Sequence, residues 1–158
     1  MSEFSSPHSL ATQTIEAADV EVTRRIGREL GRRLRAGDDV WLRGELGAGK
    51  TTFAQGIAEG IGIPTPVTSP TFVLIIEHDG PLPLLHLDAY RLEYLDDWEL
   101  SEAGVFDFLF RADAVKLIEW PERIADFLPA PRFDVQIEHR ENGRLLHVSE
   151  RHGESVTW

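Results

Sequence analysis

The clearest chemical signal in the chain is a glycine-rich loop at residues 44–51, with the sequence GELGAGKT. It matches the spacing G-x-x-x-x-G-K-[ST], in which glycines let successive backbone N–H groups turn toward an anion. Lys50 is expected to reach the β- and γ-phosphates of a nucleotide, and the Thr51 hydroxyl is expected to bind Mg²⁺. The pattern predicts a phosphate-binding loop rather than a simple glycine turn.

Two acidic residues at strand ends could complete such a site. Asp88 follows the mostly apolar run 84–87 (LLHL), and Glu119 follows the mostly apolar run 115–118 (VKLI). Ligands of open α/β sheets bind at the carboxyl ends of strands, so both carboxylates are expected to face the phosphates. One would hold the metal, directly or through water, and the other would orient or deprotonate the attacking water. The sequence leaves open which acid has which role.

Three further features near these acids have more than one interpretation. The hydroxyls of Thr68 and Ser69 could sense a γ-phosphate, as switch loops do, or could simply form a turn. His86 lies two residues before Asp88, on the same strand face, and could orient that acid or pack in the core. Trp120 could cover the nucleotide or be a buried structural side chain.

The elements around the loop predict an α/β protein with a mixed, partly parallel sheet. A strand at 39–43 precedes the loop, and a helix at 50–59 follows it, as phosphate binding requires. An earlier helix over 19–36 is capped by Asp19 and carries arginines that form a solvated face or contact an acidic partner or RNA. Further strands are predicted at 71–78, 83–87, 114–119, 132–140 and 144–151, with short helices over 93–107 and a helical turn at 121–127. Residues 1–18 are expected to be flexible and residues 19–158 to form one domain.

Composition excludes several kinds of protein. The 158 residues include 16 basic and 27 acidic side chains, for a net charge of −11, which argues against independent binding to DNA or RNA. With no cysteine, disulfides, zinc-thiolate sites and iron–sulfur clusters are excluded. No apolar run is long enough for a membrane span, and the first residues lack a signal-peptide pattern, so a cytoplasmic protein is expected.

Four short motifs together resemble one known family, the bacterial TsaE (YjeE) proteins. These motifs are GELGAGKTTF at 44–53, SPTF at 69–72, HLDAYRL at 86–92 and IEWPER at 118–123. The resemblance covers about residues 20–150. It implies a P-loop NTPase-like three-layer fold and a weak ATPase that uses ATP and Mg²⁺. It further implies a complex with TsaB and TsaD, which add threonylcarbamoyl to A37 of tRNAs reading ANN codons, so that tRNA is contacted only indirectly.

The resemblance also implies roles for individual residues. Thr51 and Glu119 would bind Mg²⁺, and Asp88, a second candidate metal ligand, would be the acid needed for hydrolysis. Thr68 and Ser69 would belong to a switch-like loop. The remaining nucleotide contacts would come from Gly44, Gly47, Ala48, Gly49, Lys50, Thr52, Glu21, Thr23, Trp120, Gly143 and Arg144. Two departures, Glu45 where the family usually has Asp and Ala89 where it usually has Leu, remove no phosphate or metal ligand.

Two other functions remain compatible with the phosphate loop. A small-molecule kinase would need an acceptor pocket and usually an arginine-bearing lid, whereas Arg123, Arg132 and Arg140 are scattered along the sequence. A nucleotide-gated binding module would use ATP to shift the loop at 68–71 between two states, with little hydrolysis. Transfer of phosphate to water, rather than to a metabolite, separates the ATPase from the kinase.

Overall fold

In a computed structural model, which describes residues 10–45, 47–64, 66–67 and 74–151, seven strands form one sheet in the order β1-β7-β6-β2-β5-β4-β3. The strands are β1 Leu10–Ala17, β2 Asp39–Arg43, β3 Ile75–His78, β4 Leu84–Asp88, β5 Val115–Glu119, β6 Phe133–Arg140 and β7 Gly143–Arg151. The helices are α1 Val20–Gly31, α2 Lys50–Ile61, α3 Asp97–Glu102 and α4 Val105–Leu109. Three 3-10 turns occupy Leu92–Tyr94, Pro121–Arg123 and Ala125–Phe127.

The sheet is mixed, and helices pack on both of its faces. Strand β2 is parallel to β5 and β6, and β4 is parallel to β5, whereas β1–β7, β6–β7 and β3–β4 are antiparallel pairs. One buried cluster joins the sheet to α1 and α2, and the other joins it to α3 and α4. This three-layer arrangement confirms the predicted α/β class. None of the helices within the described residues is long and apolar enough to cross a membrane.

The expectation of a flexible segment at residues 1–18 was wrong for residues 10–17. These residues form β1, an edge strand, which pairs along its whole length with β7, from Leu10 opposite Arg151 to Ala17 opposite Arg144. The threonines favour a strand as much as a loop, and Ile15 and Ala17 contribute apolar side chains to the core. Residues 1–9 lie outside the described part of the chain.

The first helix is shorter than predicted, and part of its arginine face is paired. Helix α1 ends at Gly31 rather than near residue 36, because the chain continues in tighter turns in which the N–H groups of Arg33 and Leu34 bond three residues back. Arg24 and Arg28 both donate to the carboxylate of Glu59 on α2, and the Arg28 Nη2 lies 2.9 Å from it. These two arginines therefore bridge α1 and α2 while their side chains stay 41% and 31% exposed.

Glycines let α1 and α2 approach each other closely. Gly27 and Gly31 on α1 face Gly56 and Gly60 on α2, and a Cβ added at Gly56 would lie 2.2 Å from the carbonyl oxygen of Arg24. No side chain fits at such a distance, so the two helix backbones are in direct contact. The contact sets the start of α1 beside the phosphate loop at the start of α2.

Replacing Gly56 with alanine is expected to lower the free energy of unfolding by about 2 kcal/mol, because the new methyl group forces the helix backbones apart. In an open helix the same change would instead raise stability by about 0.5–1 kcal/mol, so the sign of the change is diagnostic. Urea denaturation measures the free energy of unfolding of this variant and of a control, Arg25→Ala. Arg25 is exposed on α1, so little change is expected there. A Gly56→Ala protein as stable as the wild type would contradict the close contact.

Candidate functional site

The phosphate loop adopts backbone conformations that favour glycine. Gly47 and Gly49 have φ angles of 79° and 106°, and Gly49 directly precedes the first residue of α2. A Cβ at Gly47 would have no atom within 4 Å, whereas one at Gly44 would lie 2.8 Å from the Ile137 carbonyl oxygen. Glycine is therefore favoured at position 47 by its positive φ angle. At position 44, where φ is 153°, the nearby Ile137 carbonyl oxygen also leaves no room for a side chain.

A cleft of about 590 Å³ lies beside this loop, at the carboxyl edge of the parallel strands. Its walls are the start of α1 (residues 18–20 and 23), the loop with the first turn of α2 (47 and 49–52), the ends of β4 and β5 (88 and 119–120) and the start of β7 (143–144). The fold thus brings five separate segments to one position. Carboxyl ends of parallel strands are where α/β proteins bind ligands.

Most of the predicted site residues meet in this cleft. Those that line it are Gly47, Gly49, Lys50, Thr51, Thr52, Asp88, Glu119, Trp120 and Arg144, together with Thr23 and Gly143. Gly44 and Ala48 instead line a second groove, which Trp120 also lines. Glu21 does not line the cleft; its side chain is 77% exposed and lies 4.0 Å from Arg28. Thr68 and Ser69 fall outside the described residues.

Lys50 presents a buried positive charge to the cleft. The residue is only 8% exposed, and its ammonium lies 4.4 Å from the centre of the Trp120 ring. It forms no salt bridge with any residue in the described part of the chain. Burial lowers the pKa of Lys50, while Glu119, Asp88 and Glu122 act in the opposite direction. A cation in this setting is suited to an incoming anion.

The two strand-end acids lie side by side but in different environments. Asp88 and Glu119 are directly opposite each other in the parallel pairing of β4 and β5. Burial, together with the neighbouring Glu119 carboxylate, raises the pKa of Asp88; the Tyr90 N–H, 3.0 Å from Oδ1, opposes this rise, as does the charge of Lys50. Glu119 is 3% exposed. The two acids are therefore not equivalent, which the sequence left undecided.

His86 contacts a different acid from the one considered in the sequence. Its Nε2 lies 3.1 Å from Oε2 of Glu119 on the neighbouring strand, whereas Oδ1 of Asp88 accepts a hydrogen bond from the backbone N–H of Tyr90. Periodicity within β4 pointed to Asp88, two residues along the same face. It could not show which residue of the neighbouring strand lies next to the histidine ring.

Trp120 has an unusual backbone conformation at the edge of the cleft. With φ 56° and ψ 50°, it is the one non-glycine residue with positive φ in the described ranges. Its ring lies between Lys50 and an edge-on contact with Tyr90, whose centroid is 5.0 Å away. Strained backbone of this kind is concentrated at functional sites. Trp120 therefore both lines the cleft and packs against Tyr90.

The start of β7 contacts the phosphate loop. Gly143 has φ 130°, and a Cβ there would lie 2.3 Å from the Ala17 carbonyl oxygen. This close approach places Arg144 so that its Nη2 donates to the Gly47 carbonyl oxygen at 3.2 Å. Sequence reasoning missed Ala18 and Val20 as cleft residues, and it recognised Asp19 only as a helix cap. The local pattern shows where α1 begins but not that this start lies beside the phosphate loop.

The cleft has the chemical groups that a nucleotide with Mg²⁺ would need. Mg²⁺ in proteins is usually bound by one or two protein oxygens together with phosphate oxygens and water. Thr51 and Glu119 provide such oxygens beside the loop. Among the described residues there is no cluster of three or more His, Asp or Glu side chains that could hold a metal ion without other ligands. The arrangement therefore fits a metal ion that arrives with a phosphate group.

Comparisons with known proteins identify the family of this chain. The family model "Threonylcarbamoyl adenosine biosynthesis protein TsaE" matches residues 17–146. The TsaE protein of Streptomyces coelicolor is 46% identical over 73% of this chain and 78% of its own, and that of Bacillus subtilis is 43% identical over 75% and 72%. A crystal structure of Bacillus subtilis YdiB superposes with a TM-score of 0.70 at 32% identity, covering 91% of this chain and 88% of that one. The chain therefore belongs to the TsaE family of tRNA threonylcarbamoyladenosine biosynthesis proteins.

Proposed function

We propose that this protein is a Mg²⁺-dependent ATPase that acts in the threonylcarbamoyladenosine modification of A37 in tRNAs reading ANN codons. The observation that carries the ATP part is the buried ammonium of Lys50, which lies at the start of α2 with no carboxylate bound to it among the described residues. Family membership supports the tRNA part.

Each part of the cleft has a role in this proposal. The backbone N–H groups of the loop and the Lys50 ammonium bind the β- and γ-phosphates, which the start of α2 also favours through its helix dipole. Thr51 and Glu119 hold Mg²⁺, which when bound neutralises charge on the phosphate oxygens. Asp88 orients the attacking water and accepts its proton, a task suited to a carboxylate whose pKa is raised by burial.

The protein is proposed to work in a complex with TsaB and TsaD, which transfer the threonylcarbamoyl group while tRNA is held by those partners. The net charge of −11 supports this division, because a protein that held tRNA alone would need a basic surface. ATP turnover is expected to be slow for the isolated protein and faster with both partners.

The test is ATP hydrolysis measured with and without TsaB and TsaD, with release of inorganic phosphate as the readout. Phosphate release to water that rises with both partners is expected. Transfer of labelled phosphate to a metabolite would favour a kinase. Unchanged threonylcarbamoyladenosine in the tRNA of cells lacking this gene would refute the proposal.

Arg144→Ala is expected to weaken ATP binding about fivefold, because the bond to the Gly47 carbonyl oxygen that braces the loop contributes about 1 kcal/mol. Isothermal titration measures the change. Arg140→Ala is the matched control, since Arg140 lies on the same hairpin and donates to Glu138, away from the cleft. Equal losses in both variants would show that the effect comes from the hairpin as a whole.

A further inference from the structure

A histidine on the neighbouring strand holds the Glu119 carboxylate. His86 on β4 has its Nε2 3.1 Å from Oε2 of Glu119 on β5. In the strand pairing His86 lies opposite Leu117, so the bond runs diagonally toward the cleft edge of the sheet. His86 has no exposed surface and Glu119 is 3% exposed, so water cannot replace either partner without opening the core.

The chemistry of the pair defines which ring nitrogen carries the proton. A carboxylate can only accept a hydrogen bond, so Nε2 must carry a proton and be the donor. Nδ1 is buried without a hydrogen-bond partner among the described residues. The bond to Glu119 is therefore what offsets the cost of burying this polar ring.

Of the two acids in the cleft, the His86 ring binds Glu119. Asp88 lies on the same face of β4 as His86, but its Oδ1 accepts the Tyr90 N–H. Glu119 instead accepts a hydrogen bond from the ring of His86, which has no exposed surface. An acid fixed in this way has the constant orientation that a metal ligand requires.

We propose that His86 is a positioning residue, whose Nε2–H fixes the Glu119 carboxylate in the orientation that binds Mg²⁺. The inference rests on the proposed function, because it concerns the metal that accompanies ATP. Residues that orient a metal ligand typically change metal affinity by about 10- to 100-fold when they are replaced. The same loss is expected here, without a comparable loss of nucleotide contacts at Lys50.

Two amide substitutions provide a matched test. His86→Gln keeps an N–H donor at about the position of Nε2, whereas the shorter His86→Asn places it near Nδ1. Mg²⁺ is titrated into protein with a fluorescent ATP analogue, and binding of the analogue is also measured in EDTA. His86→Gln should stay within about threefold of the wild-type Mg²⁺ dependence, and His86→Asn should need about 10- to 100-fold more Mg²⁺. Binding of the ATP analogue in EDTA should be similar for the wild type and both variants. A merely structural role of His86 would not change the Mg²⁺ dependence while leaving metal-free binding unchanged.

The same Mg²⁺ dependence in the wild type and both variants would overturn the inference. ¹⁵N NMR of the wild-type ring is a second measurement, which does not depend on the folding of any variant. A proton on Nε2 is expected, and a ring without a proton on Nε2 would overturn the proposed bond. A wild-type protein that bound no nucleotide would instead refute the proposed function, and the ring tautomer would still decide the His86–Glu119 contact.

Discussion

Replacing Lys50 with alanine is expected to weaken ATP binding by roughly 100-fold or more. The ammonium is buried at the cleft and is proposed to form charge-assisted bonds to two phosphates, and loss of such contacts costs about 3 kcal/mol. Isothermal titration with ATP measures the loss, and hydrolysis should fall with it. Tight ATP binding by Lys50→Ala would contradict the assignment of the loop.

The other lysine of the chain provides the control. Lys116 is also buried, but its Nζ lies 3.3 Å from Asp39 and donates to the Leu109 carbonyl oxygen, and it does not line the cleft. Lys116→Met is therefore expected to lower stability, because it leaves Asp39 buried without its cation, while ATP affinity stays near that of the wild type. Loss of affinity in both variants would indicate general unfolding rather than a specific role of Lys50.

The part of the fold nearest the chemistry could be predicted from the sequence because its signals are local. Strand β2, the glycine loop and α2 follow one another directly, and the predicted strand at 39–43 has the observed bounds. Asp88 and Glu119 could be predicted because each follows a mostly apolar run, and strand ends meet at one edge of a parallel sheet. Local pattern together with one general rule of topology was sufficient.

The features that could not be predicted depend on neighbours distant in sequence. Strand β1 looked flexible because its partner, β7, is more than a hundred residues away. The contact of His86 with Glu119 depends on the register between β4 and β5, which periodicity within one strand does not contain. The pairing of Arg24 with Glu59 likewise depends on the close approach of two helices.

Replacing Asp88 with asparagine is expected to lower ATP hydrolysis by about 100- to 10,000-fold while ATP binding is retained. Asparagine has nearly the same shape but cannot accept the proton of the attacking water, and positioned general bases contribute rate effects of this size. Single-turnover hydrolysis separates this step from binding, which titration measures. If Asp88→Asn also supported tRNA modification in cells, ATP would act by gating a binding module rather than by being hydrolysed.

The same substitution is expected to stabilise the free protein at neutral pH. The pKa of Asp88 in the folded chain is raised above its ordinary value of 3.8, so the folded state binds this proton more tightly than the unfolded state does. Stability of the wild type should therefore fall as the pH rises from about 4 through the folded pKa, and Asp88→Asn should lack that fall. Thermal unfolding across this range, without Mg²⁺ or nucleotide, measures the difference, with Asp79→Asn as an exposed control. A wild type whose stability relative to Asp88→Asn did not change with pH would show that the folded pKa of Asp88 is not raised, and the argument from burial for a general base at Asp88 would then fail.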